Sequence, residues 1–226
     1  MNTLVVSAHP DDETIGAGGT IARLTGRGER VWVCILTDGV SSRGAGAEEH
    51  IETQRKAAMK ACEALGVENV VFGDFPDQRL DTFPLLELTR AVEDCINRFQ
   101  PETVLMHFAE DVNEDHRVAF RATLAAVRPV PGAFVRNVAC YETPSSTDWA
   151  PPLPGSTFAP NVFVDITDSL DKKLEALSMY EDTYYKEVKA FPHPRSYDGI
   201  RTYARRCGSL AGVEAAEPFL LLRQVI

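Results

Sequence analysis

The stretch His9-Pro10-Asp11-Asp12-Glu13 carries side chains that could bind a metal ion and move a proton. It follows a short apolar run that is typical of a buried strand, and neighbouring side chains on an extended loop point in different directions. One aspartate can therefore join His9 on a metal while the other faces a substrate. The simpler alternative is a turn that begins a helix, with an acidic side chain near the positive end of the helix dipole.

A second polar segment, residues 111–117, contains Asp111, Asn113, Asp115 and His116. Alone, it could be a solvated acidic loop that caps a helix, but its place after the fourth predicted strand favours a third metal ligand. Two histidines, one carboxylate and an open position are typical of a catalytic zinc site. Zinc lowers the pKa of bound water to roughly 7, which gives a hydroxide nucleophile at neutral pH. Asp115 is expected to orient His116, through the other ring nitrogen or from nearby backbone.

Strand and helix signals alternate through the first half of the chain. The strands are nearly continuous in apolar residues, which predicts a parallel sheet with helices on both faces. Ligands of such sheets bind at the carboxyl ends of strands, and the first and fourth strands are expected to be neighbours at the switch point. The predicted strands are 3–8, 31–36, 69–73 and 103–107, and the predicted helices are 14–27, 47–65 and 85–99.

The second half of the chain is less regular. Five prolines in segment 143–160 predict a stiff loop, and the prolines of segment 191–196 keep that segment extended. We therefore expect one α/β domain over residues 1–226, with a Rossmann-like, mostly parallel sheet and an irregular carboxyl-terminal part. The further predicted elements are helices 115–127, 168–189 and 197–210 and strands 138–142, 162–166 and 219–225.

The amino-acid composition indicates which classes of partner and which cellular compartment suit this protein. The net charge of −10 disfavours nucleic acid and anionic membranes as partners, because an acidic surface repels phosphate groups. Five scattered cysteines without a C-x-x-C pair indicate a reducing compartment without structural disulfides. The start of the chain carries no leader-like region, and no apolar run approaches the length of a membrane span. We expect a cytoplasmic protein without stable membrane insertion.

Two motifs carry a family resemblance. The sequence AHPDDE at 8–13, followed by NEDH at 113–116, resembles the PIG-L/LmbE family of zinc-dependent N-acetylglucosaminyl deacetylases. The resemblance extends over most of the chain, and the first motif is the more specific. It implies a zinc ion and one general base. Iron(II) could take the place of zinc, because the ligand set alone does not fix the metal. The implied ligands are His9, Asp12 and His116, and the implied base is Asp11.

The same resemblance implies residues around the substrate. Many family members carry a histidine three residues before the last ligand, where this chain has Asn113, and asparagine cannot carry a proton to an amine. His193, which the surrounding prolines present at low entropic cost, is expected to supply the missing catalytic imidazole, with His107 as the alternative. A stiff surface turn is the simpler interpretation of the segment around His193. The expected substrate-binding residues are Arg55, Asp77, Asn113 and Arg195.

These features predict a zinc-dependent hydrolase that removes the acetyl group from an N-acetylated amino sugar. The sugar could be nucleotide-linked, lipid-linked or part of a glycoside. Two alternatives stay open. His9-x-Asp11 with distant His116 matches the H-x-D…H triad of non-haem iron oxygenases, and a metal-binding Rossmann-like module could act as a partner subunit without catalysis. An uncoordinated Asp11 beside the ligands favours an enzyme over such a module.

Assembly is predicted from the proline-rich segment 143–160, which contains Trp149 and Phe158. We expect this segment to pack on a neighbouring subunit in a homo-oligomer. The family resemblance suggests a trimer or a hexamer.

Overall fold

The computed structural model describes residues 2–153 and 155–226. Within these residues, seven strands form one sheet in the order β3-β2-β1-β4-β5-β7-β6. The strands β1 to β5 are parallel neighbours, whereas β7 runs antiparallel to both β5 and β6. Their bounds are Asn2–Ser7 (β1), Arg30–Thr37 (β2), Asn69–Phe75 (β3), Thr103–Met106 (β4), Asn137–Tyr141 (β5), Val162–Asp165 (β6) and Ala216–Arg223 (β7).

Helices cover both faces of the sheet, as the near-continuous apolar strands predict. One core cluster joins the sheet to α3 and α4, and a second joins the opposite face to α1, α2 and the end of α5. The mostly parallel α/β fold class is confirmed. The helices are Asp12–Gly26 (α1), Ile51–Ala64 (α2), Leu85–Phe99 (α3), Glu114–Ala126 (α4), Leu170–Ser178 (α5) and Tyr197–Ala211 (α6).

Two predicted elements need correction. The helix predicted over 168–189 spans only Leu170–Ser178, because the next N–H groups bond to carbonyls three residues back and tighten the chain into turns. The last strand begins at Ala216 and not at residue 219. Pro218 is tolerated there because it pairs only with β6, so its missing N–H falls on a side without a ladder partner. Pro154, part of the predicted stiff loop, lies outside the described residues.

The buried ion pair Lys173–Glu217 contacts the middle of helix α1 and holds it in place. Glu217 Oε1 accepts hydrogen bonds from Lys173 Nζ at 2.6 Å and from Gly19 N at 2.9 Å. The other oxygen of Glu217 accepts from Thr20 N at 2.7 Å, and Lys173 Nζ also donates to Ile15 O at 2.7 Å. These bonds fix the helix whose first turn follows β1, and so they fix the loop between them.

Two further features bear on the compartment. The five cysteines are buried as free thiols. Of the helices that the structure describes, none is long and apolar enough to cross a membrane.

Candidate metal centre

Three potential ligand atoms converge at the carboxyl ends of β1 and β4, which are adjacent strands as the sequence predicts. His9 lies on the loop after β1, Asp12 begins α1, and His116 lies in the first turn of α4. His9 Nδ1 is 3.1 Å from Asp12 Oδ2 and 3.2 Å from His116 Nε2, and the last two atoms are 3.3 Å apart. All three residues are buried.

This triangle fits a zinc ion. Ligands that bind zinc tetrahedrally at about 2.0–2.1 Å lie about 3.3 Å from one another, which matches the three observed separations. The other oxygen of this carboxylate, Asp12 Oδ1, is buried and has no hydrogen-bond partner among the described residues, so it is also available to a cation. The donor set suits zinc and also accommodates iron(II).

The two aspartates of the loop differ in whether they could bind a metal ion. Asp12 belongs to the cluster of potential metal ligands, and Asp11 does not. An H-x-D…H triad of the oxygenase type would need Asp11 as the ligand. Those oxygenases also use a double-stranded β-helix, whereas this chain has a mostly parallel sheet with helices. The arrangement therefore disfavours the oxygenase alternative.

Each ligand histidine is oriented by a carboxylate on its other ring nitrogen. Asp115 Oδ2 is 3.1 Å from His9 Nε2, and Asp111 Oδ2 is 3.1 Å from His116 Nδ1. The prediction that Asp115 orients His116 is therefore wrong, because Asp115 faces His9 and Asp111 takes the expected role. A carboxylate on the outer nitrogen would fix the tautomer, so that the inner nitrogen of each ring could offer its lone pair to a metal ion.

The two orienting carboxylates are anchored from outside the cluster. Asp115 accepts a hydrogen bond from the backbone N–H of Gln78 at 2.8 Å. Asp111 accepts hydrogen bonds from the hydroxyl groups of Thr147, at 2.6 Å, and Ser146. Burial opposes the charge of Asp111, but the neighbouring imidazole and these hydroxyls outweigh it and hold its pKa well below the usual range. Residues Ser146 and Thr147, near the start of the proline-rich segment, thus support the candidate metal site.

The electrostatics of the ligands suit a cation. Burial alone would lower the pKa of His9, but hydrogen bonds to Asp115 and Asp12 outweigh burial and raise it well above its usual value. Burial likewise opposes ionisation of Asp12, yet the charges of His116 and His107 hold its pKa well below the usual range. Protons and a metal ion compete for the same nitrogen atoms, so metal affinity should fall at low pH.

Asp11 lies beside the potential ligands, but its surroundings shift its pKa in the opposite direction to that of Asp12. It is 2% exposed and lines the site cavity, and its Oδ2 accepts a hydrogen bond from Arg195 Nη1 at 2.9 Å. Burial raises the pKa of Asp11 well above its usual range, against the charge of Arg195 and with help from Glu187. A carboxyl group with a raised pKa can accept and return a proton near neutral pH.

The cavity over this site is small, about 40 Å³. That volume can hold water but is well below what a sugar needs. The segments that follow β1, β2, β3 and β4, together with the segment between α5 and α6, form its walls. The lining residues are His9, Pro10, Asp11, Asp12, Gly39, Arg43, Gln78, Asn113, Glu187 and Arg195.

Two of the four expected substrate-binding residues line this cavity. Asn113 is the N-cap of α4, where its Oδ1 accepts a hydrogen bond from Asp115 N at 2.9 Å. Arg195 is held by its Nε, which donates to Ser145 Oγ at 2.7 Å and to Pro144 O at 3.3 Å. Its guanidinium is thereby directed at Asp11.

The other two expected substrate-binding residues lie outside the cavity lining. Arg55 donates to Asp74 Oδ1 at 2.8 Å at the end of β3. Asp77 is fully buried behind His9, with Oδ1 at 3.4 Å from His9 Nε2 and Oδ2 at 3.5 Å from Arg43 Nε. These positions support the loop around the site, and substrate contact by either residue stays a prediction.

His193 does not line the cavity either. Its Nδ1 accepts a hydrogen bond from Arg195 N at 3.1 Å, and its ring meets Trp149 edge-on with centroids 5.6 Å apart. Partial burial and the charge of Arg195 lower the pKa of His193. His193 therefore contacts the backbone of Arg195, whereas the guanidinium of Arg195 reaches Asp11.

His107 is packed behind the metal ligands. Its Nε2 accepts a hydrogen bond from Ala8 N at 2.9 Å, and its ring stacks on His116 with centroids 3.9 Å apart. Burial and the charge of His116 lower the pKa of His107 to about 4. A neutral, hydrogen-bonded imidazole at this position supports the metal loop.

Three lining residues with polar or charged side chains were missed by sequence reasoning: Arg43, Gln78 and Glu187. They belong to loops, and no motif or helical period marks them. Glu187 is 4% exposed and lies 3.4 Å from Arg195 Nη1, yet nothing in the local sequence distinguishes it from a surface acid.

Several known proteins are similar to this chain. A probable N-acetyl-alpha-D-glucosaminyl L-malate deacetylase 2 of Bacillus cereus is 30% identical over 203 residues, which cover 82% of this chain and 88% of that protein. The 4-oxalmesaconate hydratase of Pseudomonas putida is 32% identical over 201 residues, 78% of this chain and 74% of that protein. The N,N'-diacetylchitobiose deacetylase of Pyrococcus horikoshii shares the fold, with a TM-score of 0.77 at 22% identity over 98% of this chain and 84% of that one.

A family model described as GlcNAc-PI de-N-acetylase, PIG-L, matches residues 4–127. That range is more than half of the chain, and it contains all three ligands of the triangle together with Asp11. The chain belongs to the PIG-L family.

Proposed function

We propose that this protein is a zinc-dependent hydrolase that removes the acetyl group from an N-acetylated amino sugar. The observation that carries the proposal is Asp11, a buried carboxyl group that lines the cavity beside a fitting zinc site without belonging to the ligand set. A protein that only stores or senses a metal has no use for such a group, whereas amide hydrolysis needs one.

A zinc ion held by His9, Asp12 and His116 would lower the pKa of a water molecule in its open position to roughly 7. Asp11 accepts a proton from the attacking water as the oxygen adds to the acetyl carbonyl carbon. The C–N bond then breaks, acetate leaves, and Asp11 returns the proton to the departing amine. Arg195 keeps the carboxyl group of Asp11 in place and supplies a fixed positive charge near the developing oxyanion.

The substrate class is supported by the relatives. The Bacillus cereus relative is described as acting on a glucosaminyl malate, a glycoside of a small acid. We propose an N-acetyl amino sugar in a glycoside, nucleotide-linked or lipid-linked form. The 40 Å³ cavity implies that loops at the mouth must part to admit it.

The test is acetate release from a panel of N-acetyl amino sugars, measured with and without a chelator. Metal analysis should find one zinc ion per chain, and His116→Ala should lower that occupancy. Asp11→Asn should keep zinc but lose about 10²–10⁴-fold in turnover. Asp171→Asn, at an exposed position on α5, is the matched control. Full zinc in His116→Ala, or normal turnover in Asp11→Asn, would refute the proposal.

A second candidate is metal-dependent hydration of a carbon–carbon double bond. The 32% identity to 4-oxalmesaconate hydratase favours it, and the same metal site and base can add water to an unsaturated acid. Incubation with 4-oxalmesaconate, followed by loss of its conjugated ultraviolet absorbance, distinguishes the two reactions. Hydration without acetate release from any sugar would replace the main proposal.

His193 lies outside the cavity lining, and it is proposed to aid the reaction through its contact with the backbone N–H of Arg195. His193→Ala should lower turnover with zinc content intact, and it should remove the high-pH fall in rate if His193 causes that fall. Unchanged turnover and an unchanged pH profile would eliminate His193.

The proposed assembly is a homo-oligomer, trimer or hexamer. Phe158 packs inside the chain against Phe108, but Trp149 is 56% exposed on the same proline-rich segment and is available to a second subunit. A monomer in light scattering at micromolar concentration would contradict this. A cytoplasmic location is proposed from the five buried free thiols.

A further inference from the structure

Asp11 has a backbone conformation that L-residues rarely adopt. Its φ is 117° and its ψ is −30°, between the end of β1 and the start of α1. Such a conformation persists only where neighbouring groups enforce it. Here it separates two consecutive side chains, so that Asp12 joins the metal ligands and Asp11 lines the cavity.

Glu13 holds the strained residue. Its Oε2 accepts a hydrogen bond from the backbone N–H of Asp11 at 3.1 Å. Its Oε1 accepts from the hydroxyl of Thr14 at 2.7 Å and from the phenol of Tyr180 at 2.8 Å. All three of these partners are buried, as is Glu13 itself. The carboxylate therefore joins the backbone of Asp11 to a distant part of the chain.

Tyr180 makes that anchor rigid. It is fully buried in the turn after α5. Its backbone N–H donates to Leu177 O at 3.1 Å, and its carbonyl accepts from Thr183 Oγ1 at 2.8 Å. The phenol thus projects from a fixed turn, and its hydrogen bond sets the rotamer of Glu13.

We propose that Glu13, held by Tyr180, is a positioning residue that keeps Asp11 in its strained conformation with the carboxyl group in the cavity. This inference rests on the proposed function, in which Asp11 moves the proton. If the backbone of Asp11 relaxed to a negative φ, its side chain would leave the cavity while Asp12 stayed at the head of α1. Glu13 therefore controls turnover without touching the metal or the substrate.

The surroundings of Glu13 argue against a direct part in the reaction. In the described part of the chain, Glu13 neither lines the site cavity nor belongs to a cluster of potential metal ligands. A favourable interaction with the dipole of α1 is the simpler role, and it would stabilise the helix without affecting Asp11 in particular. The two roles predict different kinetics.

The experiment compares two variants of the zinc-loaded enzyme. Glu13→Met keeps the side-chain volume but removes the acceptor for the Asp11 N–H. It should lower kcat about 10–100-fold, because small misplacements of reacting groups reduce the rate by that much. KM and zinc content should stay unchanged. Glu13→Gln should recover most of this loss, because its amide oxygen can still accept from Asp11 while its NH₂ group donates to the two hydroxyls. Glu175→Met, at an exposed position on α5, is the control.

A double-mutant cycle with Asp11→Asn tests whether Glu13 acts through Asp11. Once Asp11 cannot accept a proton, Glu13→Met should lower kcat by less than twofold further. A full 10–100-fold further loss would overturn the inference, and so would a single Glu13→Met variant with normal kcat. Normal turnover in Asp11→Asn alone would instead refute the proposed function, so the two failures are distinguishable.

Tyr180→Phe keeps the test decisive if Glu13→Met does not fold. It removes only the hydroxyl that fixes Glu13, and should lower kcat several-fold with KM and zinc unchanged. The same cycle with Asp11→Asn should abolish that effect. A Tyr180→Phe enzyme with normal kcat would overturn the inference. So would a Tyr180→Phe enzyme with low kcat whose crystal structure shows an altered Glu13 rotamer but an unchanged Asp11 backbone.

Discussion

The buried pair Lys173–Glu217 offers a direct test of how α1 is held. Both side chains are at most 5% exposed, and their closest atoms are 2.6 Å apart. Glu217→Leu would leave a buried ammonium group without its carboxylate and two helix N–H groups, those of Gly19 and Thr20, without their acceptor. The perturbation is therefore larger than the loss of one ion pair on a surface.

The magnitude follows from these contacts. Removal of one partner of a buried ion pair costs about 3–5 kcal/mol. For a domain of this size, the melting temperature falls about 2–4 °C per kcal/mol, so Glu217→Leu should melt about 6–20 °C lower. Lys173→Met/Glu217→Leu should be more stable than Glu217→Leu alone, because the double variant no longer holds a buried ammonium group without a carboxylate partner.

The assay is urea unfolding at equilibrium, with a thermal melt of each variant. Arg30–Glu68 provides a matched control, since it is also joined by hydrogen bonds of 2.6 Å but its side chains are 57% and 45% exposed. Glu68→Leu should change the unfolding midpoint little, because exposed pairs are screened by water and salt. A Glu217→Leu protein with a wild-type unfolding midpoint, or a double variant no more stable than Glu217→Leu alone, would refute the reasoning.

Three further predictions concern strain, packing and pH. Asp11→Gly should be about 1–3 kcal/mol more stable than Asp11→Ala in thermal melts, because only glycine adopts φ 117° without strain; equal melting would show that the site is relaxed. Gly16→Ala should destabilise by about 1–3 kcal/mol because its Cβ would lie 2.3 Å from the Tyr141 ring, while Gly26→Ala, with nothing within 4 Å, should not. Burial raises the pKa of Glu142 from 4.5 to about 8, so the stability that protonated Glu142 contributes below pH 4.5 is lost as the pH rises toward 8. Glu142→Gln should therefore flatten the stability–pH curve between these two pH values.

The parts of the site that the sequence could predict are those that depend on local spacing and on a general rule of α/β sheets. The AHPDDE loop follows β1 directly, and segment 111–116 follows β4. Since β1 and β4 are neighbours, the carboxyl ends of both strands place His9, Asp12 and His116 together. Helix α3 has the predicted bounds because its apolar period is strong and Pro101 follows its end.

The parts that escaped prediction depend on contacts between distant segments. Asp111 and Asp115 lie four residues apart, and only the fold decides which of them faces which histidine. Glu187 reaches the cavity because the chain leaves α5 early and turns back over the site, where periodicity alone favoured a longer helix. The bond between Glu13 and Tyr180 spans 167 residues of sequence. Spacing within a motif contains no information about such partners.

Two adjacent carboxyl groups can perform different tasks only if their environments differ, and here the backbone creates the difference. Two imidazoles hold the pKa of Asp12 well below its usual range, against burial, so Asp12 is a permanent anion suited to a cation. Burial raises the pKa of Asp11, although Arg195 opposes it, so Asp11 can exchange a proton. Opposite shifts in a pair of titratable groups are a typical mark of divided acid–base roles. The φ of 117° at Asp11 is what directs the two side chains into these two environments. A relaxed loop would place both carboxyl groups in similar surroundings, and the site would have either a weaker metal ligand or no base.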